Sequence, residues 1–177
     1  MTVKTIKEMK KQSNKIALVT GGSSGIGLAT PKNQDYSATY LIGQSPKEIF
    51  KTITNVREWW SGLYSEEIEG TSDKLNDEFT FRAGDGVHYS KQKLVEIIPD
   101  KKIVWLVTDS KLSFIKKQNE WTGTKLCFEI SKNGDKTQVT FTHFGLVPEI
   151  ECYGDCSGAW SDYLEKFLSP MAGKKKK

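Results

Sequence analysis

From Asp35 onward the apolar positions alternate before they begin to cluster. Along Asp35–Gly43 they fall at Tyr36, Ala38, Tyr40 and Ile42, every second residue, the period of a strand with one buried face. Ser45-Pro46-Lys47-Glu48 follows, with serine placed to cap a helix, proline at its first turn and a glutamate three residues on to complete a capping box. The spacing of Ile49, Phe50 and Ile53 carries that helix forward, and Asn55–Trp60 predicts a second short helix ending at Ser61-Gly62. Beyond Tyr64 the period returns to two. Strands are predicted at Glu66–Gly70, at Glu78–Arg82 with Phe79 and Phe81 on one side, and at Val87–Ile98, which Pro99-Asp100 ends. Further strands follow at Lys102–Asp109 around Trp105, at Thr124–Ser131 with Leu126, Phe128 and Ile130 on one face, and at Gln138–Phe144 with Val139, Phe141 and His143 on one face. The last element, Ser157–Leu168, spaces Trp160, Leu164, Phe167 and Leu168 as an amphipathic helix.

The connections between successive strands are short, so the strands should pair as an antiparallel meander. The expected fold class is α+β: a curved antiparallel sheet of six to seven strands wrapped on a long C-terminal helix, with two short helices after the first strand. A strongly bent sheet closed by one helix encloses space, and apolar space takes apolar ligands. The domain is expected to span residues 35–170, with residues 1–34 as an appendage and 171–177 as a basic, disordered tail.

Within the appendage, Asn14–Thr30 reads as a strand (Ile16–Val19), a glycine turn (Thr20 to Gly27) and the first turn of a helix. It resembles the TGxxxGIG opening of the short-chain dehydrogenase/reductase family, in which glycines let the backbone approach a pyrophosphate. The surroundings of a dinucleotide site do not follow. Pro31 stops the helix after one or two turns, and Asp35-Tyr36 opens a different pattern in place of a second parallel strand. The Tyr-x-x-x-Lys of that family occurs as Tyr89-Ser90-Lys91-Gln92-Lys93, but inside an alternating strand pattern rather than on a helix. Gly21, Gly25 and Gly27 are therefore read as vestigial, no cofactor is expected, and dehydrogenase activity is not.

Charge changes the picture only once it is located. Five lysines against Glu8 put +4 into residues 1–15, and Lys174–Lys177 add another +4. Of the chain's net +4, the body between those ends thus carries −4. No basic stripe interleaved with aromatics crosses that body, which argues against nucleic-acid binding. No apolar run approaches the roughly 20 residues of a membrane span. Lysines through the first fifteen positions do not suit a secretory signal, so a cytoplasmic protein is expected. Cys127 falls mid-strand, and Cys152 and Cys156 are spaced C-x3-C. A zinc site of Cys152, Cys156 and His143 is one reading of that spacing and packed free thiols are the other, preferred one. No metal is expected.

Several longer stretches resemble one superfamily. They are Ser45-Pro46-x-Glu48-x-Phe50, Val56-Arg57-x-Trp59-Trp60-Ser61, Val95 through Trp105, Trp121-Thr122-Gly123-Thr124, Thr140 through Glu149, and Cys152-Tyr153 to Cys156 with Ala159-Trp160. Over about three-quarters of the chain they are similar to the SRPBCC (START/Bet v 1-like) superfamily, in its activator of Hsp90 ATPase homologue 1-like branch. The resemblance implies a helix-grip fold. It does not imply a reaction, since similar domains serve as ligand carriers, enzymes and stress-response proteins.

The candidate ligand-binding residues are Trp59, Trp60, Phe79, Phe81, Trp105, Phe128, Phe141, His143 and Trp160. Trp59 and Trp60 lie in the segment that, by the resemblance, borders a cavity mouth. Neighbours on one helix diverge, so one of the pair is expected at the rim; the other reading packs both beneath the sheet edge. The phenylalanines and Trp105 are core residues that either line a cavity or fill it. His143 is either a satisfied core histidine or a polar anchor for a ligand, and Glu149 and Glu151 are its possible acid/base partners. No catalytic residue is assigned. The leading expectation is a binding module for an apolar small molecule. A protein-interaction or co-chaperone-like role is the alternative, and an enzyme using His143, such as a cyclase or hydrolase, comes third.

Overall fold

The computed structural model describes residues 34–172. The glycine loop, with Gly21, Gly25 and Gly27, and most of the two predicted appendages lie outside the described residues. The chain runs β1 (Tyr36–Ile42), α1 (Pro46–Thr54), α2 (Val56–Trp59), β2 (Glu67–Gly70), β3 (Glu78–Ala83), β4 (His88–Ile98), β5 (Lys102–Leu112), β6 (Lys125–Asn133), β7 (Lys136–Phe144) and α3 (Tyr153–Ala172). Seven strands form one antiparallel sheet in the order β1-β7-β6-β5-β4-β3-β2. From β2 to β7 each strand pairs with its sequence neighbour, as the short connections predict. Only β1 crosses over, to pair with β7.

The register keeps inward-facing residues opposite one another. Phe128 faces Phe141 and Ile130 faces Val139 across β6–β7, while Trp105 faces Leu126 across β5–β6. Such pairs are the unit of sheet stability, and here they make one apolar face. Between β4 and β5 the register slips at Lys91/Gln92 and again at Leu94/Glu96. Bulges of this kind bend a strand and raise its twist, which lets the sheet curl around α3. At the far edge, Arg57 Nη2 donates to the Ile68 and Gly70 carbonyls of β2 at 3.1 and 2.9 Å, so two carbonyls of this edge strand are already in use.

The first helix is built as its sequence announces. Ser45 Oγ accepts from the Glu48 amide, Glu48 Oε2 accepts from the Ser45 amide at 2.9 Å, and Pro46 opens the first turn. The last helix departs from expectation by starting four residues early, at Tyr153. The reason is distant in sequence. The Glu120 carboxylate, from the loop between β5 and β6, accepts from the backbone amides of Glu151 and Cys152 at 2.9 Å each. An acceptor of this kind stabilises a helix start, and no local residue pattern encodes it. The face that α3 turns inward carries Cys156, Trp160, Tyr163, Leu164, Phe167 and Leu168, all buried. Tyr89–Lys93 lies on β4, a strand as its alternation predicts.

Candidate functional site

The space between sheet and α3 is occupied largely by aromatic rings. Trp59 and Trp60 are each only 2% exposed, which corrects the expectation that one of them lies at the rim. Helix α2 stops at Trp59, and Trp60 leaves it with φ −98° and ψ 48°. That change of backbone direction brings both rings to the same side, stacked 5.7 Å apart at 12°. Trp60 in turn stacks on Phe81 at 4.1 Å and lies 4.9 Å from Trp160, whose ring reaches Phe141 at 4.5 Å and Trp121 at 5.7 Å. Offset and edge-on contacts of this kind add to the burial of each ring.

His143 sits at the centre of this packing with no exposed surface. Its Nδ1 accepts from Trp160 Nε1–H at 3.0 Å, and since an indole N–H can only donate, the imidazole proton belongs on Nε2. That nitrogen meets Thr124 Oγ1 at 2.9 Å, and the Thr124 hydroxyl donates to the Trp121 carbonyl at 2.6 Å. Every polar atom of the chain from indole to carbonyl is satisfied. Burial, with a smaller contribution from His88, pushes the His143 pKa down to about 3. Protonation would set N–H against N–H. With both nitrogens engaged, His143 has no lone pair left to take a proton from a substrate. Neither Glu149 nor Glu151 is among its partners: Glu149 is exposed, and the Glu151 carboxylate accepts from the Lys116 amide at 3.0 Å. Gly145, just beyond β7, has φ +99°, and a Cβ there would come within 2.7 Å of Thr124 Cγ2. Only glycine keeps Thr124 in reach of the histidine without strain.

Beside these rings lies a cavity of about 50 Å³ between the β3–β4 turn, the loop at residues 113–124 and the first turns of α3. It is sized for a few waters, well under the roughly 300–1,000 Å³ of a drug-sized ligand site. Of the nine candidate residues, Trp60, Phe81 and Trp160 border it. Trp59, Phe79, Trp105, Phe128, Phe141 and His143 are packed into the core behind it. Trp59 Nε1 donates to the Ile53 carbonyl and Trp105 Nε1 to Ser72 Oγ, so both are held as structural anchors.

The cavity wall also includes residues that the sequence reading passed over, among them Tyr64, His88, Phe114, Trp121, Asp155 and Tyr163. A signal for one of them existed. On β4 the inward positions are His88, Ser90 and Gln92, polar where the flanking strands are apolar. Half-buried His88 packs edge-on against Phe81 and Trp121, with ring centres 5.4 and 4.5 Å away, and burial lowers its pKa. Behind Tyr163 the Glu66 carboxylate gathers the Gly62, Leu63 and Tyr64 amides and the Tyr163 hydroxyl. Burial acts against its charge, but those donors outweigh burial and hold the carboxyl below its ordinary value. The segment after α2 is thereby tied to α3. Cys127, Cys152 and Cys156 are all unpaired and buried, and burial raises the Cys127 and Cys156 thiols. Among the described residues no group of three histidine, cysteine or acidic side chains is placed to hold a metal. Nor is any helix of the described residues long and apolar enough to cross a membrane.

Comparison with known proteins gives the fold its relatives. The solution structure of the Aha1 dimer from Colwellia psychrerythraea matches at a TM-score of 0.61 and 20% identity, covering 81% of this chain and 99% of that one. A protein from Rhizobium loti matches at 0.59 and 18% identity, over 77% of this chain and 95% of its own. One from Mesorhizobium loti matches at 0.58 and 14%, over 75% and 93%. At these identities the likeness is one of fold. Among curated proteins none matches the sequence. The family model described as Activator of Hsp90 ATPase homolog 1-like protein matches residues 44–171, a span that excludes the glycine loop at 14–30. The greater part of the chain lies within that match, and the protein belongs to the Activator of Hsp90 ATPase homolog 1-like family.

Proposed function

We propose that this domain, residues 35–170, is a binding module for a small apolar molecule, received at the cavity between Trp60, Phe81, Trp121 and Trp160. The observation that carries the reading is the character of that cavity: aromatic walls with a few polar groups, set at the mouth of a curved sheet. Its volume of about 50 Å³ requires one wall to yield. Phe114 is suited to do so, being half-buried on a loop outside any strand or helix. The appendage at 1–34 and the tail at 171–177 play no part in this reading. Three unpaired thiols suit a reducing cytoplasm. The test is native mass spectrometry of freshly purified protein against its denatured mass. The reading expects a reproducible extra mass, lost on denaturation, and a melting point raised on adding that compound. A ligand at 100 times its dissociation constant stabilises by about 2.7 kcal/mol. A clean apo mass, with no melting shift from any apolar probe, would retire it.

One observation favours a second reading, a protein-interaction role. A grip filled by its own aromatic rings leaves the outer surface as the means of action, and the same small volume that constrains a ligand supports this. Recovery of a stable partner protein by a pulldown from the source cell, with a clean apo mass, would put this reading first.

A further inference from the structure

The cavity's polar groups restrict what can fill it. Trp121 Nε1–H is buried without a conventional hydrogen-bond acceptor, with only the soft Cys156 thiol beside it. Its ring is held between His88, 4.5 Å away and edge-on, and Trp160, stacked at 5.7 Å and 12°. All five tryptophans are at least nine-tenths buried, and among the described residues Trp121 is the one whose indole N–H is itself buried without such a partner. His88 approaches Ser90 Oγ through Nε2 at 3.4 Å, and among the described residues its Nδ1 meets no partner. No lysine or arginine borders the cavity, and its one carboxylate belongs to Asp155. Resting on the binding reading above, we propose that the ligand is uncharged and carries a hydrogen-bond acceptor, a carbonyl or ether oxygen, seated on Trp121 Nε1–H beside His88.

A buried donor without an acceptor is a standing cost in the empty protein, and a ligand oxygen removes it. A pure hydrocarbon of the same shape gains the apolar contacts but leaves the donor orphaned, so the site discriminates between them. An anion fares worse, because Asp155 repels it and no cation compensates. Burial keeps His88 neutral, so it adds no positive charge to the wall.

The experiment compares acetophenone, ethylbenzene and benzoate by titration into the full chain, following the indole N–H resonances of protein labelled with ¹⁵N-tryptophan. The expected result is that acetophenone binds at least tenfold more tightly than ethylbenzene and shifts the Trp121 indole N–H downfield, with benzoate weakest. Trp121→Phe should bring acetophenone and ethylbenzene to within about threefold of each other. Retained ethylbenzene binding shows that this variant is folded, and the wild-type comparison stands without it. Equal binding of acetophenone and ethylbenzene, or tightest binding by benzoate, would overturn the acceptor seat while leaving the cavity as a binding site. Binding by none of the three would overturn both.

Discussion

At position 143 one imidazole ties three parts of the chain together, accepting from Trp160 on α3 and meeting Thr124 just before β6 from its own place on β7. His143→Phe keeps a ring in place but strands the Trp160 N–H in the core and takes away the group that meets Thr124 Oγ1, whose bond to the Trp121 carbonyl remains. The expected cost is about 2–4 kcal/mol, read by urea denaturation, against an unpaired buried group's usual 1–3 kcal/mol. A loss below about 0.5 kcal/mol would mean the chain of bonds is not formed. Acid provides a second test. Both histidines are held neutral in the fold, whereas in the unfolded chain they titrate near 6.5. The unfolded state therefore binds protons that the native state refuses as pH falls below about 6.5. Stability should drop by up to about 1.4 kcal/mol per pH unit for each histidine, down toward pH 3 where His143 itself protonates. Denaturation midpoints between about pH 6.5 and 5 should fall in the wild type and fall less steeply in His143→Gln. Equal slopes would contradict the neutral, locked imidazole. The alternation of Val139, Phe141 and His143 already placed this residue inward. Its partners were not legible, because they lie 17 and 19 positions away on elements whose packing the period does not encode.

Among the elements, those with local signals were placed closely and those held by distant contacts were not. The Ser45–Glu48 box fixes the start of α1 because all its atoms lie within four residues. The start of α3 depends on Glu120, more than thirty residues upstream, and so the amphipathic stripe alone predicts a helix beginning late, at Ser157. Glu120→Ala should cost about 1 kcal/mol, the usual worth of a cap, and raise amide exchange first at Tyr153–Cys156. Unchanged exchange there would show that the carboxylate is not what begins the helix. The tryptophan pair carries the same lesson. A helical wheel separates Trp59 from Trp60, but the helix ends between them, and a turn of backbone brings the two rings together.

For the molecule as a whole, the β2–β7 meander, its antiparallel pairing and the C-terminal helix followed from period and connection length, whereas the crossover of β1 to β7 did not. What lay beyond the sequence was how far the concave face fills itself. Nine inward residues qualified as cavity lining, and three of them, Trp60, Phe81 and Trp160, border the space that is left. Ring-on-ring packing is a property of three-dimensional neighbours, and an alternating pattern cannot separate a wall that packs from one that lines. A small apolar molecule is proposed to enter at this mouth. The most direct measurement is a set of intermolecular nuclear Overhauser contacts between bound ethylbenzene and the assigned indole protons. Contacts to Trp60, Trp121 and Trp160 are expected, and none to Trp105, which is closed behind the core. Contacts to Trp105 alone, or to no tryptophan while binding persists, would place the ligand elsewhere and contradict this proposal.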